Sequence, residues 1–449
     1  VSGVHEQMRA DWNARAREDA GYYVAFGARN QDPEEFFATA AEVVKGLEWE
    51  MRRLPPAADP RTRRALEIGC GPGRLLRPLS RHFGEIHGVD VSDEMVARAR
   101  ANLAHIPHAH AHTGSGSSLA LFASESFDFV YSYAVFQHIP SRDVVLDYLR
   151  EARRVMKPGA VLRAQFNGLP PAAGYDTWSG VRFTADELLA FAREHDFQVL
   201  TLEGRQTQYL WSTWIKRPAG WAAALAAREC AARIRAVTNA ENSEPVAPRR
   251  GRYAAISAWV EHLPDDATLH ALEARIGGAP GVLTYIGPAD AGGLRQVNVL
   301  LPELDATGLL PVELFWLGRR ISNAAILRVI PPGPAVPLVL SVTDGVNLVA
   351  HARVETRSLK VVIEELDRPD AFAASVGGLP VEEIEFFCTD PRPRRFEVNM
   401  KLPAALAPGC HALEMRIGRR RLAPVPLEVV RNPGPAANTQ PEPPPAAGG

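Results

Sequence analysis

The chain is poor in cysteine, in long apolar runs and in charge of one sign. Of its 449 residues four are cysteine (Cys70, Cys230, Cys388, Cys410), scattered without a CxxC pair or regular spacing. That argues against a zinc ribbon or a disulfide framework and favours a reducing cytoplasm. No apolar run approaches the ~18 residues of a membrane span. The stretch from Val1 to Trp12 has no basic-then-apolar pattern, so no secretory leader is expected. Fifty basic side chains face 52 acidic ones, for a net charge of −2. Such a chain has no global electrostatic reason to collect nucleic acid or anionic lipid.

Proline is abundant and unevenly placed. Residues 1–217 hold 11 of the 37 prolines and residues 218–449 hold 26, so the two halves are expected to differ in architecture. Residues 4–53 read as helices, with a loop from Gly27 to Pro33 and apolar residues at 3- to 4-residue spacing after Glu34. Pro55-Pro56 ends that pattern. Short apolar strands and helices then alternate to about residue 217, which predicts a mostly parallel α/β sheet, doubly wound, with an antiparallel edge. Residues 219–236 read as an Ala-rich helical connector and 239–252 as a polar linker. Beyond them short strands alternate with Gly, Pro and Asp turns, the all-β pattern.

The second half contains an internal repeat. Gly277-Gly278-Ala279-Pro280 recurs 100 residues later as Gly377-Gly378-Leu379-Pro380. Gln296-Val297-Asn298-Val299 recurs 101 residues later as Glu397-Val398-Asn399-Met400, and Leu317-Gly318-Arg319-Arg320 returns as Ile417-Gly418-Arg419-Arg420. Residues 251–330 and 335–430 are therefore expected to be two copies of one all-β sandwich, resembling immunoglobulin-like domains in size and strand spacing but lacking the Cys…Trp…Cys signature. The Pro/Ala/Gly-rich stretch 432–449 reads as a disordered tail.

The motif that carries chemistry is Glu67-Ile68-Gly69-Cys70-Gly71-Pro72-Gly73, where a buried strand runs into a glycine turn that opens a helix. Glycines there let a ligand approach the backbone, and the helix start favours a carboxylate or phosphate. A dinucleotide fingerprint needs a third glycine where Arg74 stands. The Glu-x-Gly-x-Gly-x-Gly pattern instead resembles motif I of the class I S-adenosylmethionine-dependent methyltransferases. Asp90 in Gly88-Val89-Asp90-Val91-Ser92, the strand Phe127–Ser132 and the Lys157-Pro158-Gly159 turn follow in the family's order. The resemblance spans about residues 10–217 and implies a Rossmann-like domain over 57–217, behind an N-terminal helical lid over 1–56. A connector over 218–250 then leads to the β units.

Carried over residue by residue, the resemblance implies that Gly69, Gly71 and Gly73 shape the floor under the methionine end of S-adenosylmethionine. Glu67 would bond that floor or the amino group, or cap its own strand. Asp90 would take the ribose, with Val91 and Met95 along the adenine. Ser118 and Leu119 fall in the loop after the third strand; Ser118 stands where many members have an aspartate for the adenine amine. Ser132 and Tyr133 would flank the sulfonium and the acceptor mouth. His138 lies where similar enzymes place a base for an oxygen acceptor, or it orders its loop. Trp12, Arg15, Tyr22 and Tyr23 are the lid's candidates for acceptor contact, against the alternative of helices packed only for stability.

His108, His110 and His112 alternate on one strand, but no acid or thiol accompanies them and methyl transfer needs no metal, so none is expected. The expected function is methyl transfer from S-adenosylmethionine, most readily to an oxygen of a small molecule or glycan. The β units would bind that acceptor, or associate with a protein partner or a second copy. The competing class is a non-catalytic scaffold that binds S-adenosylmethionine without turnover.

Overall fold

The computed structural model describes residues 2–25, 29–57, 59–346, 348 and 352–430. Gly27 in the expected loop and the tail 432–449 lie outside the described residues. Two compact units are present, residues 2–335 with 388–395, and residues 336–387 with 396–430.

The first unit begins with α1 (Ser2–Ala25, kinked at Asp19), α2 (Pro33–Ala38) and α3 (Ala41–Met51). Seven strands follow: β1 (Arg64–Ile68), β2 (Glu85–Asp90), β3 (Ala109–Thr113), β4 (Phe127–Ser132), β5 (Met156–Phe166), β6 (Phe197–Glu203) and β7 (Leu210–Lys216). They are interleaved with α4 (Leu76–Leu79), α5 (Asp93–Leu103), α6 (Arg142–Val155) and α7 (Ala185–Glu194). The order across the sheet is β3-β2-β1-β4-β5-β7-β6. The pairs from β3 to β5 are parallel, and β7 runs antiparallel between β5 and β6. Because helices cover both faces, the central strands are largely apolar: Leu66, Ile68, Phe129 and Val130 are all fully buried. The strand order, not the chain direction, reverses between β1 and β4, which opens a crevice at the carboxyl ends of these parallel strands.

Residues 219–236 depart from the expected helix. Helix persists only over Trp221–Ala224 and a 3₁₀ turn over Leu225–Ala227, and Arg233–Asn239 is a strand. Alanine's helix preference loses here to pairing with a neighbouring strand. The first β copy accordingly starts before residue 251. It comprises β8 (Arg233–Asn239), β9 (Val246–Pro248), β10 (Ala255–Glu261), β11 (Leu272–Ile276), β12 (Ala279–Ile286), β13 (Arg295–Leu300), β14 (Gly308–Trp316), β15 (Arg319–Arg320) and β16 (Ala325–Ile330). The second copy repeats the series as β17 (Leu338–Asp344), β18 (Arg353–Val354), β19 (Ser358–Glu364), β20 (Phe372–Val376), β21 (Leu379–Pro380), β22 (Ile384–Asp390), β23 (Arg395–Lys401), β24 (Gly409–Ile417), β25 (Arg420–Arg421) and β26 (Val425–Val429).

Pairing matches as well as order. β9 lies parallel to β16, and β18 lies parallel to β26. β10 pairs with β13, and β19 pairs with β23. The strand after the Gly-Gly turn serves both sheets of its copy: β12 is continuous and pairs with β11 and then β13, whereas its counterpart is broken into β21 and β22. The second copy's two sheets share one core, including Val361, Val398, Val376 and Leu413.

The first copy is built onto the open edge of the α/β sheet. β12 pairs with β6 at Tyr285 and Thr201. The Val199 N–H donates to Thr268 Oγ1 at 3.0 Å, and the Leu269 N–H donates to the Val199 carbonyl at 2.9 Å. This covering satisfies backbone groups that an exposed edge strand would offer to other chains. Trp221 joins the same junction, its indole N–H donating to Asp266 at 2.9 Å.

A buried ion pair ties α3 to β12. Arg53 Nε lies 2.6 Å from Glu50 Oε2, with both side chains almost fully buried, and Arg53 Nη1 donates to the Ile286 carbonyl at 2.9 Å. Removing one partner of such a pair strands the other charge. Arg53→Ala is expected to cost about 3–5 kcal/mol, measured by urea denaturation. A loss below about 1 kcal/mol would show the pair to be dispensable.

Candidate active site

Strand β1 ends in the glycine turn, and the turn is held against β2. The Gly69 and Cys70 N–H groups both donate to the Val89 carbonyl, at 2.8 and 3.0 Å. This places the turn beside Asp90 at the end of β2. Asp90 Oδ2 accepts the Gly71 N–H at 2.8 Å, and Oδ1 accepts the Ser92 N–H at 2.9 Å. Burial pushes the Asp90 carboxyl up, and hydrogen bonds from the backbone N–H groups of Ser92, Gly71 and Val91 pull it back. Each oxygen takes one backbone donor and keeps further acceptor capacity.

Gly69, Gly71 and Gly73 all have positive φ, +76°, +49° and +85°. Their surroundings differ. A Cβ at Gly69 would fall 2.2 Å from Val135, one at Gly71 would meet Val24 at 3.4 Å, and one at Gly73 would meet Leu103 and Ala99 of α5. Gly69 and Gly71 line the cavity, while Gly73 serves the packing of the turn on α5.

Glu67 is buried, accepts the Tyr131 hydroxyl at 3.1 Å and lines the cavity; burial pushes its carboxyl well above the usual range. Val91 and Met95 line the cavity too. Ser132, Ser118 and Leu119 stand outside its lining. The Ser132 hydroxyl donates to the Ile68 carbonyl at 3.0 Å, bridging β4 to β1. Leu119 is fully buried and its N–H donates to Glu151 at 2.8 Å, with the Ser118 hydroxyl 3.5 Å from the same carboxylate.

Helix α1 crosses the crevice and forms one wall. Ala16 and Ala20 pack on Met95, small side chains that let the helix approach α5. Asn13 Oδ1 accepts from the Ser92 hydroxyl at 2.6 Å and the Glu94 N–H at 3.2 Å, so it adds to the cap of α5. From this helix Met8, Trp12, Tyr23 and Val24 reach the cavity. Arg15 stands outside its lining and locks that wall. Its guanidinium donates to the Thr177 carbonyl at 2.9 Å and lies 4.7 Å over Trp12 and 5.3 Å over Trp178. Tyr22 also stands outside the lining, edge-on to Tyr23 and beneath Arg29.

His138 is buried at the far side of the cavity, in a 3₁₀ turn after β4. Trp12 meets its ring edge-on at 5.4 Å, and Trp178 lies at 5.7 Å. Nδ1 is 2.7 Å from the Trp178 carbonyl, an acceptor, which assigns the proton to Nδ1. Nε2 then accepts from the Gln137 amide at 3.2 Å, and Gln137 Oε1 accepts in turn from Gln165 at 3.0 Å. Burial lowers the His138 pKa to about 4, so the ring is neutral at pH 7. Sequence reasoning found His138 and Trp12 but missed Trp178, Gln137 and Arg74.

His110 and His112 of β3 stand with His87 of β2. His87 Nδ1 is 3.1 Å from His112 Nε2, and Glu85 binds both His87 and Arg64. Among the described residues no group of three or more histidine, cysteine or acidic side chains is placed to hold a metal. Asp128 accepts the Arg64 N–H at 2.9 Å and pairs with Lys157 at 2.7 Å, which is a strand-end role.

Residues 66–164 match the family model described as "Methyltransferase domain". The match is to this segment and not to the whole chain. It runs from β1 through β5 and contains the glycine turn, Asp90 and His138. A ubiquinone biosynthesis O-methyltransferase of Roseobacter denitrificans is 33% identical over 98 residues, 22% of this chain and 38% of that one. A malonyl-[acyl-carrier protein] O-methyltransferase of Enterobacter lignolyticus is 33% identical over 112 residues, 25% of this chain and 41% of that one. The chain thus spans about two-fifths of the length of these curated relatives. Among solved structures, Haemonchus contortus phosphoethanolamine N-methyltransferase 1 has a TM-score of 0.37 at 14% identity, over 48% of this chain and 50% of that one. Geranyl diphosphate C-methyltransferase from Streptomyces coelicolor has a TM-score of 0.36 at 14% identity, over 47% and 97%.

Proposed function

We propose that the chain is an S-adenosylmethionine-dependent methyltransferase acting on an oxygen of a small-molecule or glycan acceptor. The observation that carries this reading is a single cavity with a glycine turn and Asp90 at one side and His138 among aromatic rings at the other. The residues fit the cofactor. Asp90 retains acceptor capacity for two adjacent hydroxyls, and Val91 and Met95 offer apolar surface beside it. Glu67, Gly69 and Gly71 would hold the methionine end. When bound, S-adenosylmethionine supplies a methyl group already activated by its sulfonium.

The remaining task of the protein is orientation and proton removal. Trp12, Tyr23 and Tyr133 wall the acceptor side, and α1 acts as a lid that keeps water out. His138, its Nδ1–H held by the Trp178 carbonyl, takes the acceptor's proton at Nε2 once the acceptor hydroxyl replaces the Gln137 amide there. The relatives named O-methyltransferases support oxygen as the accepting atom. We read the two β copies as immunoglobulin-like units for acceptor binding or for association with a partner or second copy.

The test is incubation of the full chain with methyl-labelled S-adenosylmethionine and fractionated metabolites and glycans. A labelled product is expected, with transfer by His138→Ala reduced about 100-fold or more. A variant that keeps the full rate would exclude the base role. Persistent absence of label, with intact cofactor binding, would leave the non-catalytic scaffold.

A further inference from the structure

The peptide group that holds His138 has a second partner. Its carbonyl, that of Trp178, receives the His138 Nδ1–H at 2.7 Å. Its N–H, that of Ser179, donates to Asp176 Oδ1 at 2.6 Å, and the Trp178 N–H donates to the same oxygen at 2.7 Å. A carboxylate and an imidazole thus sit at opposite ends of one planar amide, where each hydrogen bond polarises the other. The Ser179 and Trp178 N–H groups hold the Asp176 carboxyl below its usual range, so it is charged at pH 7.

This peptide is fixed on both sides. The Thr177 hydroxyl is buried and donates to Asp11 at 2.6 Å, and the Thr177 carbonyl accepts from Arg15 at 2.9 Å. Beyond Ser179, the Gly180 N–H donates to the Gln137 carbonyl at 2.7 Å and the Val181 N–H to the Ile139 carbonyl at 2.9 Å. A Cβ at Gly180 would fall 2.6 Å from the Ile139 backbone, so the segment runs tight against the turn that carries His138. Burial lowers the His138 pKa most; the Trp178 carbonyl raises it, Arg15 of α1 lowers it and Asp176 raises it. Asp176 is exposed. Water screens its direct field, and the peptide is the route to the buried ring.

We propose that Asp176 is a positioning residue for His138, acting through the Trp178–Ser179 peptide. It fixes the carbonyl that holds Nδ1–H and stabilises the imidazolium that forms when Nε2 takes the acceptor's proton. The proposal rests on the reading of His138 as the base. In that step the acceptor oxygen bonds to the methyl carbon and the methyl–sulfur pair stays on sulfur. The acceptor's proton moves to Nε2, and Nδ1–H remains donated to Trp178.

The test is ¹⁵N-histidine magnetic resonance on the full chain, as wild type, Asp176→Asn and Asp176→Ala, with His138→Gln to assign the signal. At pH 7 wild-type His138 is expected with its proton on Nδ1. Asp176→Ala mixes the two tautomers. Asp176→Asn, which keeps an acceptor oxygen without the charge, retains the tautomer but moves the Nδ1–H proton resonance upfield. With an acceptor found by methyl labelling, kcat falls about tenfold in Asp176→Ala and by less in Asp176→Asn, with the cofactor KM unchanged in both. If either variant matches wild type in resonance and kcat, the proposal is overturned. A lower kcat with unchanged tautomer and resonance also overturns it, because Asp176 would then only support the loop. If the tautomer changes in Asp176→Ala while His138→Gln keeps the full rate, the base reading fails, and the pairing of Asp176 with His138 through the peptide stands.

Discussion

Asp90→Ala is expected to weaken S-adenosylhomocysteine binding by about 100-fold. Two hydrogen bonds from ribose hydroxyls to a partly desolvated carboxylate are worth about 3 kcal/mol together, which is that factor in affinity. The same carboxylate receives the Gly71 and Ser92 N–H groups, so alanine also removes one of the three bonds named above that hold the glycine turn to β2. Asp90→Asn separates the two effects. It retains one oxygen acceptor and most of the shape, and its affinity should fall between those of wild type and Asp90→Ala. Calorimetry of the three proteins is the check. Equal affinity in wild type and Asp90→Ala would remove Asp90 from the site.

Gly69→Ala is expected to destabilise the first unit by about 3 kcal/mol and to distort the cavity. A left-handed backbone costs an alanine about 1–2 kcal/mol, and overpacking adds about 1–3 kcal/mol. At Gly69 both penalties apply: φ is +76°, and three atoms of Val135 lie within 2.9 Å of the added carbon. Gly71→Ala meets the backbone penalty alone, since its nearest neighbour stands at 3.4 Å. Urea denaturation should therefore rank Gly69→Ala well below Gly71→Ala in stability. Val135→Ala placed in the Gly69→Ala background should recover part of the loss, because it removes the two closest atoms. The reverse ranking would show that the turn can relax away from Val135.

The residues legible in the sequence are those whose partners are close along the chain or set by strand order. Glu67, Gly69 and Gly71 belong to one strand and its turn. Asp90 ends the next strand, and parallel pairing brings it beside the first. The repeat was legible for the same reason, since turn residues such as Gly277-Gly278 and Gly377-Gly378 sit at positive φ in both copies. Ser118 and Ser132 are expected at the cofactor from position alone; sequence spacing does not show which way a side chain points, and in the structure theirs lie outside the cavity lining and engage Glu151 and the Ile68 carbonyl.

What the sequence by itself determined is the α/β plan of the first domain, the glycine turn with its acid, and the duplication that follows. The tertiary structure decided the rest, because it depends on contacts between distant segments. Trp178 reaches His138 across 40 residues and Trp12 across more than 120, and their packing with burial sets that ring's proton and lowers its pKa. An alanine-rich run became helix for one turn and strand beyond it, where β10 offered a ladder. Arg74, in the sequence only the residue standing where a dinucleotide fingerprint needs a glycine, is buried by the fold against Thr39 and Tyr133.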